Sequence, residues 1–204
     1  QELVAHAKAS GCRIRGDIDL FMEACSVPVI GITGSNGKST VTAMLGEMIA
    51  ACGANVAIGG NFGRPALDLL SDKAEFYVLE LSSFQLALCD SLAPSVATVL
   101  NLSPDHIDRH GNMENYCAVK ERITDVSSNE DYNLAVICTD DANTKKIYSR
   151  AKELALRNVI EVSTVAKLEN GVFLLDNVLH DVMENDDDKY GGIEKVQSLK
   201  GVHN

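Results

Sequence analysis

Apolar positions along this chain change period repeatedly, and each change marks an element. Val29, Ile30, Ile32 and Thr33 form a near-continuous apolar and β-branched run, the pattern of a buried strand. From Val41 to Ala51 the spacing switches. Val41, Met44, Leu45, Met48 and Ile49 recur three and four apart, as on one face of a helix. The alternation continues downstream. Asn55–Ile58 reads as a short strand ending at Gly59-Gly60, and Pro65 suits a helix start before Ala66–Leu70. Phe76–Leu81 is an apolar run broken only by Glu80, and Val96–Leu102 is another buried strand. Tyr116, Val119 and Ile123 place a helix over Met113–Val126; then come a strand at Leu134–Cys138, a helix at Asp141–Leu156 and a strand at Asn158–Val162. Buried strands alternating with helices predict an α/β fold, a mainly parallel sheet covered by helices on both faces.

The flanks read differently. Residues 1–26 predict helix, short strand and helix, with Gly11 ending the first helix and Asp17 capping Ile18–Cys25. A boundary is expected near 26–27, before Pro28 opens the first strand of the sheet. Past 165, Gly171–Leu175, Val178–Met183 and Ile193–Leu199 predict a small section of short antiparallel strands. Glu184-Asn-Asp-Asp-Asp188 reads as a solvated loop, because the D-x-D-x-D-G spacing of a calcium loop is absent.

Composition narrows the partners. In 204 residues, 46% hydrophobic content is enough for one full core. Eighteen basic against 29 acidic residues leave a net charge of −11, which argues against nucleic acid and anionic membranes as partners. No apolar stretch approaches the ~20 residues of a membrane span, and no export signal opens the chain. Cys12, Cys25, Cys52, Cys89, Cys117 and Cys138 are scattered and never form C-x-x-C, as in a reducing cytoplasm. The chain starts at Gln1 inside a helical pattern and stops at His203-Asn204, so a piece of a longer protein is expected.

The densest chemistry follows the first strand of the sheet. Gly34-Ser-Asn-Gly-Lys-Ser-Thr40 is a glycine-rich turn entering a helix, the arrangement of a P-loop-type fold. Backbone N–H groups of Gly34, Ser35, Asn36, Gly37 and Thr40 can surround phosphate, Lys38 can reach terminal phosphates, and Ser39 can bind Mg2+. The match is a variant one: the common G-x-x-x-x-G-K-[ST] pattern wants glycine where Ile32 stands, and an ordinary βα turn is the alternative. Glu80 ends a strand, where ligands of parallel sheets gather, and is placed to hold a metal opposite Ser39. A solubilising strand-end carboxylate is the competing explanation. Asp105, His106, Asp108, Arg109 and His110 crowd one loop, as a metal site or as a polar helix cap. Lys120, with Arg122 close by, lies on a helix, where a lysine is normally solvated.

Taken in order, Gly34–Thr40, Gly59-Gly-Asn-Phe-Gly63, Leu79-Glu-Leu-Ser-Ser-Phe-Gln-Leu86, Asn101–Arg109, Tyr116-Cys-Ala-Val-Lys120 and Gly201-Val-His-Asn204 resemble the Mur ligases, ATP-dependent amide ligases of peptidoglycan synthesis. Folylpolyglutamate synthetases are relatives in the same superfamily. Glu80-Leu-Ser-Ser-Phe-Gln85 is the most specific segment and is similar to the D-glutamate-adding branch. The resemblance runs from about Gly16 to Asn204 and weakens after 130. It implies a three-domain enzyme. Residues 1–26 would be the tail of an N-terminal Rossmann-like UDP-binding domain and 27–204 the central ATP-binding domain, with the C-terminal amino-acid-binding domain absent.

The same resemblance implies roles. Gly34 to Thr40 would wrap the ATP phosphates, Ser39 and Glu80 would hold one Mg2+, and Glu80 and His106 a second. Lys120 would react with CO2 to give a carbamate ligand near that second metal, which requires a neutral amine and a lowered pKa. Asn61 and Ser82 would contact UDP-N-acetylmuramoyl-L-alanine, and Asn204 would lie near the adenine. D-glutamate would be the second substrate, joined through an acyl phosphate by a cytoplasmic bacterial enzyme expected to be monomeric. A piece lacking the C-terminal domain would not complete ligation. Three other readings remain: a different ligase of the superfamily, a P-loop kinase or switch, and a non-catalytic module. Glu80-Leu-Ser-Ser-Phe-Gln85 argues against the first, the missing N-K-x-D and the pairing of His106 with Lys120 against the second. Lys38, Glu80, His106 and Lys120 together argue against the third.

Overall fold

A computed structural model describes residues 2–71, 73–90, 92–125, 133–155, 157–183 and 188–191. One sheet carries them, in the order β2-β3-β1-β4-β5-β6-β7-β8-β9. β1 (Val29–Thr33), β2 (Val56–Gly60), β3 (Phe76–Glu80), β4 (Val96–Val99), β5 (Leu134–Cys138), β6 (Asn158–Ser163) and β7 (Val172–Leu175) all run parallel. β8 (Val178–Asp181) and β9 (Asp188–Gly191) complete the sheet antiparallel. β1 lies between β3 and β4, so the loop leaving β1 is flanked by the segments leaving those two strands. Tyr77, Val78, Leu79 and Glu80 are buried in succession, which requires cover on both faces of β3.

Among the described residues the helices are α1 (Glu2–Ala9), α2 (Asp17–Ala24), α3 (Lys38–Ala51), α4 (Ser83–Leu88), α5 (Ile107–His110), α6 (Met113–Glu121) and α7 (Ala142–Leu154). α3 packs tightly on β2: a Cβ at Gly46 would stand 2.0 Å from Ile58 Cδ1. α2 is part of the core. Ile18 and Phe21 are buried, and Phe21 meets Tyr77 edge-on at 5.0 Å. The core therefore begins ahead of the boundary expected at 26–27.

Several expectations are corrected. No strand forms between α1 and α2. Asp17 is the first residue of α2 rather than its cap; Gly16 holds the cap position, and its N–H donates to the Asp19 carboxylate at 3.1 Å. Ala66–Leu69 after Pro65 is a 3₁₀ turn, and α6 gives way to another at Arg122–Thr124. β4 stops at Val99, because Leu100 to Ser103 leave the sheet to meet the loop after β1. β7 joins the parallel sheet through Val162↔Val172 and Ser163↔Phe173, in addition to pairing antiparallel with β8 as expected. The turn between them places Asp176 and Asn177 at φ of 50° and 60°, the left-handed region that these residue types tolerate. The expected strand at 193–199 lies outside the described residues.

Phe21→Ala is expected to cost about 3–5 kcal/mol in a single urea transition shared with the sheet. A separate early transition for α2 would contradict its place in the core.

Candidate active site

β1 runs straight into Gly34, and α3 begins at Lys38 with Gly37 at its N-cap, φ 81°. This conformation turns the chain sharply and leaves the N–H groups of the first helical turn facing the loop, a ready anion site. The Lys38 ammonium donates to the Ser35 carbonyl at 3.0 Å.

Glu80 closes the site from β3. Its register with β1 pairs it with Ile32, beside the exit to the loop. The side chain is only 2% exposed, yet both oxygens are engaged: Ser39 Oγ donates to Oε2 at 2.6 Å and Asn61 Nδ2 donates to Oε1 at 2.8 Å. Asn61 is brought there by its own N–H, which donates to the Glu80 carbonyl at 2.8 Å. Gly60 makes that approach possible. At φ 102° a Cβ would lie 2.4 Å from the Glu80 carbonyl oxygen.

A buried carboxylate held by neutral donors, next to a serine hydroxyl and a phosphate-sized nest of amides, suits a hard cation. Ser39 and Glu80 fit Mg2+, which commonly takes one or two protein oxygens and completes its shell with water and phosphate. Among the described residues no group of three or more His, Cys, Asp or Glu side chains could hold a metal alone.

Lys120 is a second buried charge-bearing group at the phosphate loop. It is 2% exposed on α6, and its Nζ donates to Thr33 Oγ1 at 3.1 Å and to the Gly34 carbonyl at 2.9 Å, above the Tyr116 ring. Burial, reinforced by Lys38, pulls its pKa from 10.5 down to about 7, while Asp105 and Glu80 oppose the shift. The solvated state normal for a helical lysine does not occur here.

His106 stands on the neighbouring loop at φ 50°, with Nε2 3.6 Å from Asp105 and its ring 4.9 Å from that of Phe84. His110 faces the same ring and shares a hydrogen bond with Ser83 Oγ at 3.0 Å. Ser82 caps α4 in a capping box with Gln85. Lys38, Ser39, Asn61, Glu80 and Lys120 thus converge, while His106 and Ser82 sit on adjoining segments. Asn204 lies outside the described residues. Thr33, Tyr116 and Ser103 were not foreseen. Only Tyr116 carries a signal, standing one helical turn before Lys120.

The fold and the converging loops define a P-loop-type α/β domain. The chain belongs to the Mur ligase family: residues 32–192 match the Mur ligase middle domain. It is 40% identical over 204 residues, 97% of the chain and 42% of the relative, to UDP-N-acetylmuramoylalanine–D-glutamate ligase of Brucella abortus (strain 2308). It is 53% identical over 139 residues to the enzyme of that name from Marinobacter nauticus, covering 68% of the chain and 30% of the relative. Among solved structures, a UDP-N-acetylmuramoyl-L-alanyl-D-glutamate–2,6-diaminopimelate ligase shares the fold with a TM-score of 0.63 and 22% identity, over 82% of this chain and 39% of that one. The chain thus spans 30–42% of the length of these two curated relatives. Among the described residues no helix is long and apolar enough to cross a membrane.

Lys120 sets a pH signature. Between about pH 7 and 10.5 the unfolded chain holds a proton that the folded chain has lost, so this group's contribution to stability rises with pH across that window. Urea unfolding in bicarbonate-free buffer should show a steeper rise in the parent chain than in Lys120→Met. Equal slopes would contradict a buried, neutral amine.

Proposed function

We propose that this chain is the ATP-binding centre of a cytoplasmic ligase that joins D-glutamate to UDP-N-acetylmuramoyl-L-alanine in peptidoglycan synthesis, forming ADP and phosphate. The observation that carries the reading is the buried Glu80 carboxylate hydrogen-bonded to Ser39 of the phosphate loop. The names of the relatives supply the substrates.

In this reading the L-alanine carboxylate attacks the γ-phosphorus of ATP, the bond to the ADP oxygen breaks, and an acyl phosphate forms. The amine of D-glutamate then attacks the acyl carbon and phosphate leaves. Both reactants of the first step are anionic, so the protein's work is positioning and charge neutralisation. Loop amides from Gly34 to Thr40 hold the phosphates, and Lys38 leaves the Ser35 carbonyl for the β/γ oxygens. Ser39 and Glu80 would hold one Mg2+, and Glu80 and His106 a second; such ions would offset phosphate charge. Asn61 and Ser82 face the muramoyl-peptide, and Asn204 serves the adenine.

Lys120 enters through its neutral form. The amine nitrogen would attack the carbon of CO2: the C–N bond forms as one C=O π pair moves onto oxygen, the nitrogen gives a proton to solvent, and the resulting carbamate would supply an anion near Glu80. Its hydrogen bonds to Gly34 and Thr33 and its lowered pKa support this role.

Calorimetry of Mg2+-ATP with this chain, beside Lys38→Ala, tests the site. Affinity should fall about ten- to a hundredfold in the variant, the scale of one lost hydrogen bond to a charged group. Equal binding by the two would remove Lys38 from the phosphate site. A panel of amino acids assayed with the full-length protein tests the substrate: ADP release should require D-glutamate and UDP-N-acetylmuramoyl-L-alanine together, and turnover with 2,6-diaminopimelate instead would point to another ligase of the family.

A further inference from the structure

The phosphate loop is not self-supporting. Ser35 and Asn36 carry side chains between its glycines, and Ile32 stands where the common pattern has a further glycine. Its shape is held from outside, by the segment that leaves β4.

Asn101 makes the key contact. Its Oδ1 accepts from the Asn36 N–H at 2.9 Å and its Nδ2 donates to the Asn36 carbonyl at 3.0 Å. A primary amide placed in this way pairs with both polar groups of one peptide residue, as a neighbouring strand would. Adjacent bonds extend the pairing. Ser35 N–H donates to the Asn101 carbonyl at 2.8 Å, Ser35 Oγ donates to the Ser103 carbonyl at 2.9 Å, and the Ser103 N–H donates to Ser35 Oγ at 3.0 Å.

We propose that Asn101 is a positioning residue of the phosphate site: it fixes the Asn36 peptide, and with it the directions of the loop amides, before nucleotide arrives. The proposal rests on the reading of this loop as an ATP site. Only an asparagine-type amide offers a donor and an acceptor at this reach; aspartate keeps the acceptor alone, and leucine keeps the shape and neither function. Asn36 is exposed and Asn101 partly so, so the pair adds little to global stability. Its effect falls on local order and on nucleotide affinity.

Amide hydrogen exchange and Mg2+-ATP calorimetry on the parent chain, Asn101→Leu and Asn101→Asp test this. In the free chain, exchange at Asn36 should quicken about tenfold in Asn101→Leu, the scale of one net hydrogen bond. It should stay near the parent rate in Asn101→Asp, which keeps the acceptor, with β1 amides unchanged in both. Mg2+-ATP affinity should fall about tenfold in Asn101→Leu.

Unchanged exchange at Asn36 in Asn101→Leu overturns the proposal. So does free exchange with unchanged affinity, which would leave Asn101 a purely structural contact, and so does lost affinity with intact protection, which would make it a direct ligand contact. If the parent chain binds no nucleotide, the same calorimetry is run on the full-length protein and its Asn101→Leu variant; a full-length protein that binds none defeats the ATP reading instead, and the exchange rates alone then decide whether Asn101 pins the loop.

Discussion

A carboxylate kept almost wholly from water at the mouth of the phosphate loop constrains everything around it. An ionised group in that position is tolerable only with partners on both oxygens. Glu80 finds one on α3 and one just past β2, so three separate elements must be held in register for a single side chain. The sheet does this. β1 and β2 pair with β3 on its two sides, bringing Ile32 and Gly60 alongside Glu80. Gly60 then lets the Asn61 backbone close on the Glu80 carbonyl, where any side chain would collide. The parallel order is thus inseparable from the chemistry of the loop.

Two lysines divide the cationic work. Lys38 lies at the helix start, donating to its own loop. Lys120 is buried beneath the same loop, among Thr33, Gly34 and Tyr116, where a full charge is disfavoured by burial and by Lys38 itself. A site with two permanent ammonium groups would repel a second cation. Under the proposed function, the easily neutralised one would leave room for metal ions beside Glu80.

The strands were legible because burial on both faces writes them as apolar runs; β5 falls where its pattern places it, and β1 and β3 nearly so. The end of β4 was not. Leu100 and Leu102 are apolar too, but they lie past the end of the strand, and periodicity carries no sign of that. α4 was also overlooked, although Ser82-Ser-Phe-Gln85 is a capping box in which both reciprocal bonds form. Glu80 was readable from its place at a strand end, whereas Lys120 was visible only through resemblance. A helical lysine is solvated by default, and what overrides the default here is the carbonyl of Gly34, a partner distant in sequence. Asn101 was hidden for the same reason: its two bonds go to a backbone 65 positions away.

The segment from Asn101 to His110 joins two pieces of the site that belong to different strands. At its start, Asn101 and Ser103 grip the loop after β1. At its end, His110 meets Ser83 and the ring of Phe84, both on the α4 side of β3. Tyr116, bonded to Ser35 and packed against His110, braces the two ends from α6. A shift of this segment as a unit would therefore move the phosphate loop and the Ser82–Phe84 turn together. Two reacting groups that must meet within about 3–3.5 Å gain from such a brace. The segment owes much of its position to side-chain hydrogen bonds as well as to the backbone bond from Ser35 to Asn101, so point substitutions there can loosen the alignment of the site without unfolding the domain.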